Sequence, residues 1–344
     1  RANKYIWLGT HQKFDAFTFI FTETEAGWIW VHAYQFDPET STFIVECSEA
    51  TWKGLGFDAM DTDEAIAKLE EIFADQLGGH SLMSNARHLR GSAWLNFNRV
   101  SCKRWRHGNV ILMGDAAHTA HFSIGSGTKL ALEDAIDLAA RLHDGKGLDD
   151  SLQDYESARR VEVLRLQSSA RNSTEWFENV ERYVHQDPEQ FNYGLLTRSQ
   201  RISHEELRLR DPAWLKRLEG WFAGSAAKDD VPPPMFTPYR VRGTVLKNRI
   251  VVSPMCMYSA DEGVPGDWHL VHLGGRALGG AGLVIAEATA VSPDGRISHG
   301  CTGIWNDEQV AGWKRVVDFS KAHGPAKLGL QLNHAGRKAS CSLV

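Results

Sequence analysis

The run Gly114-Asp115-Ala116-Ala117-His118-Thr119-Ala120-His121-Phe122-Ser123-Ile124-Gly125-Ser126-Gly127 constrains this chain more than any other stretch. It follows the short apolar run Val110 to Met113 and precedes Lys129 to Leu142, where Leu132, Ala135, Ile136 and Ala139 recur at helical spacing. That order predicts a buried strand, a turn and a helix starting near Ser126. Gly125 and Gly127 remove side chains where a backbone must come close to something. The free N–H groups of a helix start present partial positive charge to an anion. Asp115 stands where a carboxylate can accept hydrogen bonds from ribose or ribityl hydroxyls. From the residues alone, the run is either a nucleotide or flavin site or a capped strand-turn-helix that holds nothing. The full pattern is far more specific than a bare Gly-x-Gly.

The rest of the composition narrows the setting. With 344 residues, 42% of them hydrophobic and 24% charged, the chain can hold two domains with ordinary cores. A net charge of -5 with both signs interspersed gives no broad basic face, which argues against nucleic acid or an anionic membrane as main partner. Five dispersed cysteines, Cys47, Cys102, Cys256, Cys301 and Cys341, form no CxxC pair and point to a reducing, cytoplasmic setting without a metal site. No apolar run has transmembrane length. Residue 1 is Arg and the chain stops directly after a motif, so truncation at both ends is expected. A homo-oligomer is left open.

Lys4 to Trp52 reads as an antiparallel meander, with Phe17, Phe19 and Phe21 alternating with polar neighbours and further runs at Trp28 to Phe36 and Thr42 to Cys47. Asp61 to Glu64 caps a helix that Gly78-Gly79 should stop, and Ala93 to Val100 suggests another strand. Helices are expected over Asp150 to Val184 and over His204 to Phe222, broken at Pro212. Residues 223–238, with Pro232-Pro233-Pro234, read as an extended linker between domains at 1–222 and 239–344. The second part alternates strand and helix: Arg249 to Ser253, Asp267 to Leu278, Leu283 to Ala288, Asp307 to His323, Lys327 to Leu332. Repeated β-α-β with short joints means parallel strands, in a barrel or a doubly wound sheet. Trp28, Trp30, His32 and Tyr34 could line a pocket, but such a stripe is more often core. His118 reads as a structural residue that pins its turn. His269 and His272 lack a third ligand and are set aside as a metal pair.

Gly-Asp-Ala-Ala-His, then Gly-x-Gly, then Leu-Ala-x-Glu-Asp-Ala resembles the second flavin signature of the single-component FAD-dependent aromatic hydroxylases. The resemblance implies that Asp115 contacts the ribityl and pyrophosphate region of FAD, and that Gly125, Ser126 and Gly127 approach the isoalloxazine. Phe122 stands where many members have Pro, and this variant is similar to the salicylyl-CoA 5-hydroxylase and 2-aminobenzoyl-CoA monooxygenase/reductase branch. The family's Gly-x-Gly-x-x-Gly and Asp-Gly motifs are absent, so an upstream FAD-binding segment is expected to be missing.

In the second part, Ser253-Pro254-Met255-Cys256-Met257-Tyr258, Glu287-Ala288-Thr289-Ala290, Gly303-Ile304-Trp305 and Gln331 to Lys338 resemble, in order and spacing, the old yellow enzyme family. The resemblance implies FMN contacts from Ser253, Pro254, Met255, Cys256 and Ala288, and a hydrogen bond from Gln331 to the pyrimidine edge. It also implies that Cys256 tunes the flavin potential and that Tyr258 meets the substrate.

The fold expected is therefore α/β and α+β: the C-terminal part of an aromatic-hydroxylase fold, with an antiparallel substrate sheet plus helices, then the first three βα units of a TIM barrel. The fusion order resembles the aryl-CoA branch. It implies an oxidoreductase that hydroxylates an aryl-CoA thioester with O2, using FAD, FMN and NAD(P)H. Two other readings stand beside it: a hydroxylase acting on a non-CoA substrate, and a non-catalytic piece with incomplete flavin sites.

Overall fold

The structure, a computed structural model, describes residues 1–84, 93–224 and 231–339, so part of the expected linker (225–230) and Cys341 lie outside the described residues. The chain divides into two compact units, Arg1–Leu207 and Arg208–Val344.

The first unit opens with β1 (Lys4–Thr10), β2 (Thr18–Thr24), β3 (Gly27–Gln35) and β4 (Ser41–Cys47). Helices α1 (Glu49–Gly54), α2 (Thr62–Ile72) and α3 (Ala74–Leu77) follow. Short strands β5 (Leu82–Met83) and β6 (Leu95–Asn96) pair with β1, while β7 (Arg106–His107) and β8 (Val110–Ile111) pair with each other. Then come α4 (Gly127–His143), α5 (Leu148–Glu178), α6 (Pro188–Thr197) and α7 (His204–Arg210). The main sheet runs β2-β3-β4-β1-β5, all antiparallel. It corrects the simple meander: β1 pairs with β4, from Lys4↔Cys47 to Thr10↔Ser41, and is no neighbour of β2.

Both faces of this sheet are covered. Ile6, Leu8, Val31, Phe43 and Val45 pack with Phe57, Leu69 and Phe73 from the α1–α3 segment. On the other face Trp30 packs with Phe177 and Val180, flanked by Phe19, Phe21, Trp28, Trp176 and Phe191. Burial on both faces explains why β4 has every residue buried, the polar Ser41, Thr42 and Glu46 included, and shows no apolar-polar alternation. The stripe on β3 is therefore core.

Three local expectations shift. The strand ahead of the glycine run shrinks to Val110–Ile111, turned back on Arg106–His107 at Gly108 (φ +57), and Val110 is exposed rather than buried. Of Ala93 to Val100 only Leu95–Asn96 joins the sheet. The helix capped by Asp61 stops at Phe73, whose φ of -109° leaves the helical region, before α3 ends at Gly78 (φ +57). The Asp61–Glu64 capping box itself forms as the sequence suggests.

The second unit starts with α8 (Pro212–Phe222), then the hairpin β9 (Tyr239–Val241) and β10 (Thr244–Leu246), which has no counterpart in the sequence reading. Its tight turn places Arg242 at φ +51. Next come β11 (Val251–Val252), α9 (Asp267–Leu278), β12 (Leu283–Ala290), α10 (Asp307–His323) and β13 (Lys327–Asn333). β11, β12 and β13 are parallel and in sequence order, the βαβαβ arrangement expected. Val284 and Ala286 pack with Leu273, Ala277, Trp313 and Val316 on α9 and α10. That covered face fixes the register of the strands and so the place of the strand ends. Arg249 lies over the rings of Phe222 and Tyr239, 4.4 and 4.9 Å from their centroids, and donates through Nε to Thr237 Oγ1 at 2.9 Å. Helix α8, placed with the first domain in the sequence reading, is thereby tied to the second unit.

Candidate functional site: two flavin-type clefts

In the first unit the glycine run forms two 3-10 turns, Gly114–Ala116 and Phe122–Ile124, before α4 begins at Gly127. Gly125 has φ +58, a region that side chains rarely adopt, and a Cβ built there or at Gly127 would meet nothing within 4 Å. These glycines therefore face open space. Ser126, which precedes α4, makes no side-chain cap and no acid occupies the first turn, leaving the helix N–H groups to a ligand. Ser126 Oγ instead donates to Ile124 O at 3.1 Å and accepts from Arg201 at 3.1 Å. The carboxylate of Asp115 is exposed on the same run. An open glycine cradle, an uncapped helix start and an exposed carboxylate fit a flavin's ring edge and its hydroxylated chain.

Behind the cradle a buried network holds the turn. Asp134, on α4 and fully buried, accepts Gly114 N–H at 2.9 Å and His118 Nε2 at 2.8 Å through one oxygen, and Arg159 Nε at 2.8 Å through the other. Burial works against its charge, but these donors hold the Asp134 carboxyl below its usual range. His118 is thus the structural pin that the sequence suggested.

Phe122 joins the turn to the sheet. Its ring centroid lies 5.0 Å from Tyr5, 6.0 Å from Trp7, 5.3 Å from His32 and 4.1 Å from His121. Beneath it Glu46, 1% exposed, accepts from Asn3 (2.9 Å), Trp30 Nε1 (3.1 Å) and His32 (3.3 Å). Burial holds His32 neutral, well below the usual imidazole range, and pulls His121 down to about 4. His121 Nδ1 accepts the Ser123 N–H at 3.2 Å. Arg198 donates to Ser123 O at 2.7 Å and to Ser173 Oγ at 3.0 Å, and lies over Phe19 and Phe177. Its burial lowers the guanidinium to about 10, still a cation at neutral pH. Glu46 and Arg198 were missed by sequence reasoning. For Glu46 the signal was a charge inside the apolar run Thr42 to Cys47; Arg198 carried none.

In the second unit the candidate residues gather at the carboxyl ends of the parallel strands, where such sheets place their sites. Ser253, Met255 and Cys256 are exposed just beyond β11 and Pro254 is half-buried. Ala288 on β12 is buried and stands directly opposite the exposed Gln331 on β13. Tyr258, 51% exposed, sits at φ +54. Its phenol is held above the usual range, first by Cys256. Exposed thiol, hydroxyl and amide groups beyond the strand ends, with a small alanine among them, fit a planar ring with polar edges. His269 turns into the interior instead, and among the described residues no group of three His, Cys, Asp or Glu could hold a metal ion.

Residues 10–168 match the FAD binding domain family, and residues 234–343 match the NADH:flavin oxidoreductase / NADH oxidase family. Two separate segments of the chain thus match two flavoprotein families. The chain is 41% identical over 249 residues to a salicyloyl-CoA 5-hydroxylase from Streptomyces sp, covering 69% of this chain and 46% of the relative. It is 42% identical over 173 residues to a 3-hydroxy-4-methyl-anthranilyl-[aryl-carrier protein] 5-monooxygenase from Streptosporangium sibiricum, covering 50% and 44%. Its second segment is 53% identical over 107 residues to an NADPH dehydrogenase from Geobacillus sp. (strain WCH70), covering 30% and 31%. The chain thus spans less than half the length of each of these relatives. FAD and FMN are the cofactors of the two matched families. Among the described residues no helix is long and apolar enough to cross a membrane.

Proposed function

We propose that the protein hydroxylates an aryl-CoA thioester with O2 and NAD(P)H in its first segment and reduces an activated double bond in its second. The observation that carries this reading is the identity to a relative named salicyloyl-CoA 5-hydroxylase, in a chain that goes on into an ene-reductase-like segment. Bound flavin supplies the oxygen activation and hydride transfer. The chain's residues would bind and orient it: Asp115 would accept hydrogen bonds from hydroxyls, Gly125 and Gly127 would leave room for the ring, and the start of α4, with the Ser126 N–H, would offer donors to it. In the second segment Ser253, Pro254, Met255, Cys256 and Ala288 would hold the second flavin. Gln331 would hydrogen-bond its polar groups, and Tyr258 would hold a proton for the substrate. The reading places the protein in the cytoplasm, where CoA thioesters and NADPH are found.

The test is to supply the full-length protein that carries this chain with FAD, FMN and NADPH and with salicylyl-CoA or 2-aminobenzoyl-CoA, following hydroxylation and ring reduction separately. Consumption of either thioester supports the reading; consumption of neither sinks it. The relative that acts on an aryl-carrier protein favours a second reading, an aryl group presented as a carrier-protein thioester. A matched assay with that substrate separates the two.

A further inference from the structure

Beneath the segment that carries Cys256 and Tyr258 lies a buried polar pair with no part in the contacts proposed above. β12 and β13 pair in register from Leu283↔Lys327 to Ala286↔Leu330 and resume at Ala288↔Gln331, so Glu287 is one residue more than β13 can oppose. Bulges of this kind re-aim a side chain and gather beside functional sites. Here the bulge turns a carboxylate, 1% exposed, under the end of the neighbouring strand. Glu287 Oε2 accepts the Met257 N–H at 3.2 Å. Its Oε1 lies 3.3 Å from Nε2 of the fully buried His269, and neither atom has an aligned hydrogen-bond partner. His269 Nδ1 accepts the Gly266 N–H at 3.1 Å, so in the neutral ring the proton is on Nε2 and faces the carboxylate.

Three elements meet at this carboxylate: β12 supplies it, α9 braces it, and the segment after β11 hangs from it. That segment needs an external hold. No regular structure runs from Ser253 to Ala260, and Tyr258 occupies a left-handed backbone conformation at φ +54. Such a conformation is strained for a non-glycine residue and persists only where surroundings enforce it. A buried carboxylate in turn is tolerated only if donors meet it, and among the described residues the Met257 N–H is the one aligned donor.

We propose that Glu287, braced by His269, is a positioning residue: by fixing the Met257 N–H it sets where Cys256 and Tyr258, on either side, stand at the mouth of the sheet. Its meaning for catalysis rests on the reading of that mouth given above, but the link itself needs neither flavin nor substrate.

The test uses the whole chain without cofactor. Cys256 is alkylated with iodoacetamide and its rate followed by peptide mass, with Cys102, half-buried in the first unit, as internal reference. Loss of one hydrogen bond should change the Cys256 rate about threefold or more in Glu287→Met, which keeps the side-chain length but has no oxygen to accept the Met257 N–H. The Cys102 rate stays unchanged. His269→Leu should act like Glu287→Met, whereas His269→Gln, which keeps an N–H for the carboxylate, should restore the parent rate. Equal Cys256 rates in the parent and in Glu287→Met overturn the proposal, and so does a change that Cys102 shares. Should Glu287→Met not fold, the pair of His269 variants decides by the same criteria. A failure of the thioester assays leaves these rates untouched, so the two readings fail separately.

Discussion

Gly125 shows how one residue can separate stability from binding. Its φ of +58 imposes a strain of about 1 kcal/mol on any L side chain, yet a Cβ there meets no protein atom. Gly125→Ala should therefore lower the unfolding free energy in urea by about 1 kcal/mol. It should weaken FAD binding at least about tenfold in a fluorescence titration, because the methyl fills the space kept for the ring. The buried histidines set a pH dependence. His121 is held near 4 in the folded chain and titrates near 6.5 when unfolded, so the unfolded state binds the extra proton between those values. Stability is then intact above about pH 6.5 and falls as the pH drops toward 4, by on the order of 3 kcal/mol for this residue. His32, also held neutral, and Glu46, held ionised, push in the same direction. Thermal midpoints from pH 7 to 4 should fall steeply, and less so in His121→Gln; a flat profile would contradict the burial argument.

At the scale of elements, the end of α5 meets the sheet through Phe177 and its neighbour Trp176, and Phe177 is the more deeply buried of the two. Phe177 is fully buried, with ring centroids 5.6 Å from Phe19, 6.0 Å from Trp30 and 4.9 Å from His32. Phe177→Ala should cost about 3–5 kcal/mol in chemical denaturation, the range for emptying a buried aromatic site. How legible the elements were follows from what fixes them. α9 and α10 were read to the residue because their caps and apolar faces are local, as with Asn306, which accepts the Gln309 N–H at 3.0 Å. The neighbour of β1 was not legible, because β2 and β4 offer similar apolar patterns and only the long-range pairing Lys4↔Cys47 decides between them. The candidate site shows the same division. Asp115 and the glycines announced themselves by spacing, whereas Glu46, Asp134 and Glu287 matter through partners distant in sequence that only folding brings near.

For the whole molecule, two flavoprotein segments in one chain predict two flavins with separable sites. A full-length protein that carries both segments, reconstituted with both flavins, should release FAD and FMN in a ratio near one to one on heat denaturation, as measured by chromatography. Gly125→Leu should remove FAD alone, while a bulky side chain at Ala288 should remove FMN alone. Joint loss from either change would show that the sites are not independent. The stacking of Arg249 on Phe222 and Tyr239 bears on how such a fusion can be taken apart. A gene split at the proline tract would send Phe222 away with the wrong half and leave a guanidinium with one face bare. Placing the seam between α7 and α8, close to the division of the two units, keeps that aromatic bracket whole, so the second half inherits a helix that the boundary of its matched family, at residue 234, would discard.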